Sequence, residues 1–288
     1  MIRTAPLTPW LYILPTFFFV GVFLIYPVIH TVSLSFFNHD STSFAGLSNY
    51  IDLFSHSETL LVFRNNLLWL TLFTAVVMSL GLFLAVLTNQ VSYEALAKAI
   101  IFIPMAISFT AAAVIWRFMY IFQPEGFTQT GVINALLVSA KGSPIAWLVD
   151  TTVNNFALIA AGVWMWTGFA LVVISAGLKG IPAEVLEAAR VDGANEWQIF
   201  RRITFPMLRP VLIVVTVTLT INALKVFDLV YVMTFGNHNT DVIANRMFKE
   251  MFTFGNAGRA SAIATILLLA IIPLMLMNVR YFRREGAE

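Results

Sequence analysis

Three polar residues recur at every third position inside a long apolar stretch of the chain. Asn222, Lys225 and Asp228 bring an amide, an ammonium and a carboxylate into residues 208–234. In a helix this spacing predicts that the three side chains lie along one slanting face. An isolated charge near the bilayer centre costs about 2.5–3.5 kcal/mol on insertion scales, which favours a Lys–Asp pair facing the protein interior. Two hypotheses follow: a self-neutralising pair that fixes helix packing, or a polar stripe along a path across the membrane.

A charged segment, residues 179–210, separates two apolar stretches and has the punctuation of two short helices joined by a turn. Pro182 suits a first helical position, and Gly193 can adopt the left-handed conformation that ends a helix. Asn195 is then predicted to cap the second helix, which Pro206 should end. On pattern alone the segment could be an amphipathic hairpin on a membrane surface or a DNA-reading helix-turn-helix. The flanking apolar stretches argue against the second form.

The composition excludes an ordinary water-soluble domain. Of the 288 residues, 59% are apolar and 11% charged, and the mean hydropathy is +0.84. The bilayer must therefore be the main solvent of this chain. A net charge of +2 is too small to indicate nucleic-acid binding. The absence of cysteine excludes disulfides, thiolate metal sites and a catalytic thiol.

Six apolar stretches are each long enough to cross about 30 Å of hydrocarbon. They predict an all-α integral membrane protein whose residues 1–288 form a single transmembrane domain. The first stretch is longer than the apolar region of a usual signal peptide, so we expect an uncleaved span there. The expected spans are residues 10–36, 66–89, 99–122, 155–178, 208–234 and 260–279.

The basic residues predict the orientation of these spans. Ten lysines and arginines fall at the termini and loops of one side and six on the other, which places both termini and residues 179–210 in the cytoplasm. On the outer side, Val132–Val138 should form an interfacial helix. Residues 37–63 are expected to be a solvated loop, because His39 and His56 match no metal-ligand spacing.

Motifs that would carry catalysis are missing from the sequence. It contains no GxxxxGK[ST] phosphate loop, no HExxH and no GxSxG. We therefore predict no catalytic residues and no metal site, and we expect the energy for any transport to come from a partner.

A specific motif lies inside the charged segment. Its residues are Glu187, Ala188 and Ala189, then Gly193, and finally Ile203, Thr204, Phe205 and Pro206. This motif resembles the EAA loop of permease subunits of ATP-binding-cassette (ABC) importers, with Phe205 as the one departure, where the family usually has leucine. Two further stretches, 46–50 and 227–234, resemble the sugar-uptake branch, particularly the maltose-type and glycerol-phosphate-type first permease subunits.

This resemblance implies the type I ABC importer permease fold, with a coupling helix in the cytoplasmic loop 179–206 that docks on a separate ATPase. ATP and magnesium would bind to that ATPase, and this chain would hold no cofactor. The implied partners are a second, different permease, two ATPase subunits and an extracytoplasmic sugar-binding protein in a prokaryotic cytoplasmic membrane. The implied substrate is a sugar, expected to be a di- or oligosaccharide.

The resemblance also places a sugar path near mid-membrane, between the spans that flank the coupling loop. It implies path residues in the fourth and fifth spans, namely Trp164, Trp166, Phe169, Asn222, Lys225 and Asp228. The alternatives are an ion-coupled secondary transporter that uses Lys225 and Asp228, and, more remotely, a membrane-embedded enzyme. No inverted repeat between the two halves supports the secondary transporter.

Overall fold

The computed structural model of the chain describes the backbone of residues 8–285 and the side chains of residues 10 and 12–276. This part is all-α: its only β pairing is an isolated antiparallel bridge between Phe37 and Phe44. The predicted fold class is confirmed. By contacts the chain divides into two compact units. The first comprises residues through Thr59 with Arg246–Leu269, and the second comprises Leu60–Asn245 and the residues from Ala270 onward.

Thirteen helices are described, several of which contain a π-helical or 3₁₀ turn. They are α1 (8–34), α2 (Ser48–Ser55), α3 (Ser57–Thr88), α4 (Glu94–Ala106), α5 (Phe109–Met119), α6 (Val132–Ser139), α7 (Asn154–Lys179), α8 (Ala183–Val191), α9 (Glu196–Met207), α10 (Arg209–Leu224), α11 (Asp228–Met233), α12 (243–253) and α13 (Ala257–Glu285). The helix predicted at Val132–Val138 is present as α6.

Four of the described helices are long and apolar enough to cross a membrane: α1, α3, α7 and α13. Two bent pairs bring the number to six if each pair is one span, which agrees in number with the six predicted spans. The pairs are α4 with α5, bent by 97°, and α9 with α10, bent by 64°. The prediction of an unbroken third span over 99–122 is therefore wrong.

The third span breaks because its backbone is extended at two consecutive residues. Ile107 and Ser108 have ψ angles of 145° and 149°. The Ser108 hydroxyl then accepts a hydrogen bond from the amide of Ala111 at 3.2 Å, which caps α5. A capped helix start inside an apolar stretch satisfies a backbone amide that would otherwise lack a partner in the bilayer.

The second unit is built around α7. Of an 18-residue apolar stretch of this helix, 72% is buried inside the protein, against 22% for the corresponding stretch of α3. Helix α3 packs along α7 at very short range. A methyl group at Gly81 would lie 2.5 Å from the Cβ atom of Ala170. Small residues let two helix backbones approach closely, which is how helices gain packing energy in lipid.

The first unit contains a buried charge network. The carboxylate of Glu250, 3% exposed, accepts from Arg246 Nε at 2.9 Å and lies 3.5 Å from Arg259 Nε. Arg259 also pairs with Asp52 at 3.2 Å. The prediction of a solvated loop over residues 37–63 is wrong in part, because α2 and the start of α3 lie there.

Candidate functional site

The fifth predicted span is interrupted at its polar residues. Helix α10 ends at Leu224, and α11 begins at Asp228 after a non-helical step in which Phe227 has φ −139° and ψ −64°. The prediction that Asn222, Lys225 and Asp228 share one helix face is therefore wrong. The three residues instead lie at the end of one helix, in the break and at the start of the next helix.

The break opens a cavity of about 210 Å³ in the second unit. Asn222, Lys225 and Asp228 all line it, and so does Trp166 from α7. The structure therefore brings together four of the six path residues predicted from the sequence. The backbone break replaces the expected slanting stripe with polar groups converging on one space.

Lys225 and Asp228 do not form an ion pair in the described part of the chain, so the first hypothesis, a self-neutralising pair, does not hold. Lys225 is exposed, and one carboxylate oxygen of Asp228 accepts from the Thr110 hydroxyl at 3.3 Å. The Asn222 amide donates to the carbonyl of Thr218 in its own helix at 2.8 Å. The ammonium and the carboxylate thus retain hydrogen-bonding capacity toward the cavity.

The two remaining predicted path residues lie outside this cavity. Phe169 meets the Trp166 ring edge to face, with ring centroids 5.6 Å apart, and so supports it from behind. Trp164 points elsewhere: it packs against Trp116 and lines a separate cavity of about 610 Å³.

Four aromatic cavity residues were missed by sequence reasoning, namely Trp69, Phe73, Phe109 and Phe227. Trp69 and Phe73 of α3 are 1% and 2% exposed, and Phe109 stacks on Trp166 with centroids 6.1 Å apart. Gly162 admits the Trp69 ring, since a methyl group there would lie 2.9 Å from it. Phe109 is the first residue of α5, so recognising a helix start at Ser108 would have placed it.

The charged segment folds as two short helices, as predicted. The turn residue Gly193 has φ +83°, and Asn195 caps α9 in a reciprocal capping box with Gln198. Two details differ. Pro182 is the N-cap of α8 and not its first helical residue. Pro206 does not end α9, because it lies in the first turn of the α-helical piece after a π-helical turn, where a missing amide is tolerated.

An ion pair joins the two short helices. Arg190 Nε donates to one carboxylate oxygen of Glu196 at 2.8 Å, and a terminal nitrogen of Arg190 donates to the other at 3.3 Å. The carboxylate raises the pKa of the Arg190 guanidinium. This contact holds α8 and α9 together. The motif residues on the two helices differ in exposure. Glu187, Ala188 and Gly193 are exposed, whereas Ala189, Ile203 and Pro206 are half-buried.

A polar cluster anchors the helix end that leads into this segment. The Lys98 ammonium contacts Glu94, Ser175 and the side-chain oxygen of Asn89, the last at 2.7 Å. Lys179, the last residue of α7, pairs with Glu94 at 2.7 Å. The cluster ties the ends of α3, α4 and α7 together, and three residues separate Lys179 from the start of α8.

The described residues contain no group of three or more His, Asp or Glu side chains that could hold a metal ion. His39 contacts Asp40 at 2.6 Å, and hydrogen bonding to that carboxylate raises the His39 pKa. His56 lies 2.8 Å from the Asp52 carbonyl.

The sequence matches a known family over most of its length. The family described as "Binding-protein-dependent transport system inner membrane component" matches residues 77–285. The osmoprotective compounds uptake permease protein GgtC of Synechocystis sp. is 54% identical over 275 residues, which are 96% of this chain and 99% of the relative. The alpha-glucoside transport system permease protein AglF of Rhizobium meliloti is 43% identical over 96% of this chain and 83% of its own.

More distantly related proteins also match over nearly the whole chain. The trehalose/maltose transport system permease protein MalF of Thermococcus litoralis is 34% identical over 96% of this chain and 94% of its own. A chain in the crystal structure of a bacterial ABC transporter that imports the acidic polysaccharide alginate matches with a TM-score of 0.82. That chain is 23% identical, and the match covers 96% of this chain and 94% of the other, so it confirms the fold.

Proposed function

Since this chain belongs to the family of binding-protein-dependent transport system inner membrane components, we propose that it is the membrane-spanning subunit of an ATP-driven sugar importer. The observation that carries the proposal is the cavity at the break of the fifth span. There Asn222, Lys225 and Asp228 line one cavity together with the aromatic side chain of Trp166. The protein is a multi-pass membrane transport component, and the substrate class and the assembly are what we propose.

The cavity chemistry suits a neutral glycoside. Sugar rings present apolar C–H faces that stack on aromatic side chains and hydroxyl edges that need hydrogen bonds. Trp166 and Phe109 supply the first surface, and the amide, ammonium and carboxylate supply donors and acceptors for the second. The named relatives transport osmoprotective compounds, alpha-glucosides, trehalose and maltose. We infer a di- or oligosaccharide that passes the cavity one ring at a time.

The helix pair α8 and α9 transmits the motion of an ATPase to this cavity. Glu187 and Gly193 lie exposed on the short helices, whereas Ile203 and Pro206 continue into the base of α10. A push on α8 therefore reaches α10, whose far end carries Asn222 and the break. Rigid-body movement of packed helices suffices for this transmission, and the chain itself hydrolyses nothing.

The assembly comprises a second, different permease, two ATPase subunits that bind ATP and magnesium, and an extracytoplasmic sugar-binding protein. Residues 1–288 act as one transmembrane domain in a prokaryotic cytoplasmic membrane, with both termini and residues 179–206 on the cytoplasmic side. The bias of basic residues supports this orientation.

Co-purification and uptake test the proposal together. The tagged chain, solubilised from its own membranes, should carry an ATP-binding subunit, and the complex with its binding protein in proteoliposomes should take up radiolabelled trehalose or maltose only with internal ATP. Uptake driven by an ion gradient without ATP would overturn the proposal. Failure to take up either sugar, with the ATPase present, would overturn the sugar class alone.

A further inference from the structure

One buried asparagine binds backbone groups at the end of α10 and at the start of α12. The side chain of Asn66, in α3, is 3% exposed. Its amide nitrogen donates to the carbonyls of Ala223 at 3.4 Å and Leu224 at 3.2 Å. Its amide oxygen accepts from the backbone N–H of Ile243 at 2.6 Å. A single side chain therefore links the end of α10 to the start of α12.

These backbone groups need such a partner because the helices end inside a membrane protein. The last carbonyls of a helix have no intrahelical donor, and lipid supplies no water to replace one. The residues after Leu224 compensate only in part, with a Val226 N–H to Ala223 carbonyl distance of 3.4 Å. Removing the Asn66 amide leaves the Leu224 carbonyl buried without this donor, which favours continuation of α10 through Lys225.

The position of Asn66 connects the break to the cavity wall. Trp69 follows it by three residues in the same helix, so the two side chains lie on neighbouring positions of one face. Trp69 lines the cavity, and Lys225 immediately follows the carbonyls that Asn66 binds. Helix α3 thus supplies both an aromatic wall of the cavity and the contact that holds the end of α10, directly before Lys225.

We propose that Asn66 is a positioning residue that holds the broken fifth span open, so that Lys225 and Asp228 converge on the cavity that Trp166 also lines. The inference deepens the proposed function and rests on it for its transport readout. Asn66 does not line the cavity, so it acts on a substrate only through the backbone that it binds.

The preceding residue supplies a matched control. Asn65 is also fully buried in α3, and its amide nitrogen donates to the carbonyls of Asn239 at 2.8 Å and Asp241 at 2.9 Å. Asn65 therefore donates two hydrogen bonds to backbone carbonyls, as Asn66 does, but its acceptors lie in a loop and not at the break. A purely structural role predicts equal consequences for the loss of either side chain, whereas positioning predicts different ones.

The experiment compares Asn66→Leu with Asn65→Leu in the intact transport complex, because leucine is close to asparagine in shape and makes no hydrogen bond. The first readout is the apparent KM for trehalose and for maltose. The second needs no substrate: the chain has no cysteine, so Val226→Cys reports the break through its rate of labelling by an impermeant maleimide. We expect Asn66→Leu to raise KM about 5- to 10-fold, equivalent to one lost hydrogen bond, and to change the labelling rate. Asn65→Leu should change neither.

Equal effects of the two substitutions on KM and on labelling, or no effect of Asn66→Leu on either, would overturn the proposal. If either leucine variant fails to assemble, Asn66→Asp and Asn65→Asp replace the pair, since aspartate keeps the shape and the acceptor but loses the amide donors. If the unsubstituted complex takes up neither sugar, the substrate class fails, and the labelling comparison still decides the role of Asn66.

Discussion

Replacing both Lys225 and Asp228 with leucine should abolish uptake while the complex still assembles. The two side chains form no ion pair in the described structure: Lys225 is exposed, and Asp228 accepts from the Thr110 hydroxyl. Hydrogen bonds to charged groups contribute about 1.5–3 kcal/mol. If each residue donates or accepts one such bond with the sugar, each single substitution should lower kcat/KM about 10- to 100-fold.

The assay is uptake of radiolabelled trehalose and maltose per assembled complex, with thermal unfolding measured alongside. The changes in the free energy of unfolding caused by the two single substitutions should sum to the change in the double variant within about 0.5 kcal/mol, because unpaired residues show little coupling. Thr216→Leu is the matched control, since this exposed threonine bonds only to the Leu212 carbonyl of its own helix. Near-normal uptake in the double variant would refute the assignment of the cavity as the path.

Three further outcomes are expected. Gly193→Ala should cost about 1–2 kcal/mol of backbone strain and weaken association with the ATPase, because φ at Gly193 is +83° while the space around an added methyl group is open. Gly193→Pro should abolish association with the ATPase. Equal binding of the ATPase by the two variants would contradict this prediction. Lys98→Met should destabilise the complex in thermal unfolding by about 1–3 kcal/mol, because its polar partners lose a hydrogen-bond donor. Substitution of the exposed lysine, Lys179→Met, should destabilise it by less than about 1 kcal/mol. A larger loss of stability in Lys179→Met than in Lys98→Met would count against the cluster as an anchor. In whole cells an impermeant thiol reagent should label Ser43→Cys and not Val191→Cys, and labelling of the second would invert the orientation.

The two short helices and the turn of the charged segment could be predicted from local sequence because their determinants are local. A turn that needs positive φ selects glycine at Gly193, and the capping box needs only Asn195 and Gln198, three residues apart. Length and hydropathy likewise sufficed for the apolar stretches, since each need only match the thickness of a bilayer.

Only the tertiary structure decided where those stretches break and what the breaks enclose. Residues 208–234 read as one helix because Lys225 and its neighbours are all compatible with helical backbone, and the donor that satisfies the end of α10 is Asn66, more than 150 residues away in sequence. The same holds for the cavity, where helix packing that no local pattern records brings Trp69 and Phe109 to the space that Trp166 lines. A sequence specifies its own caps and apolar faces, but a break inside a membrane is stable only when another helix supplies the missing hydrogen bonds.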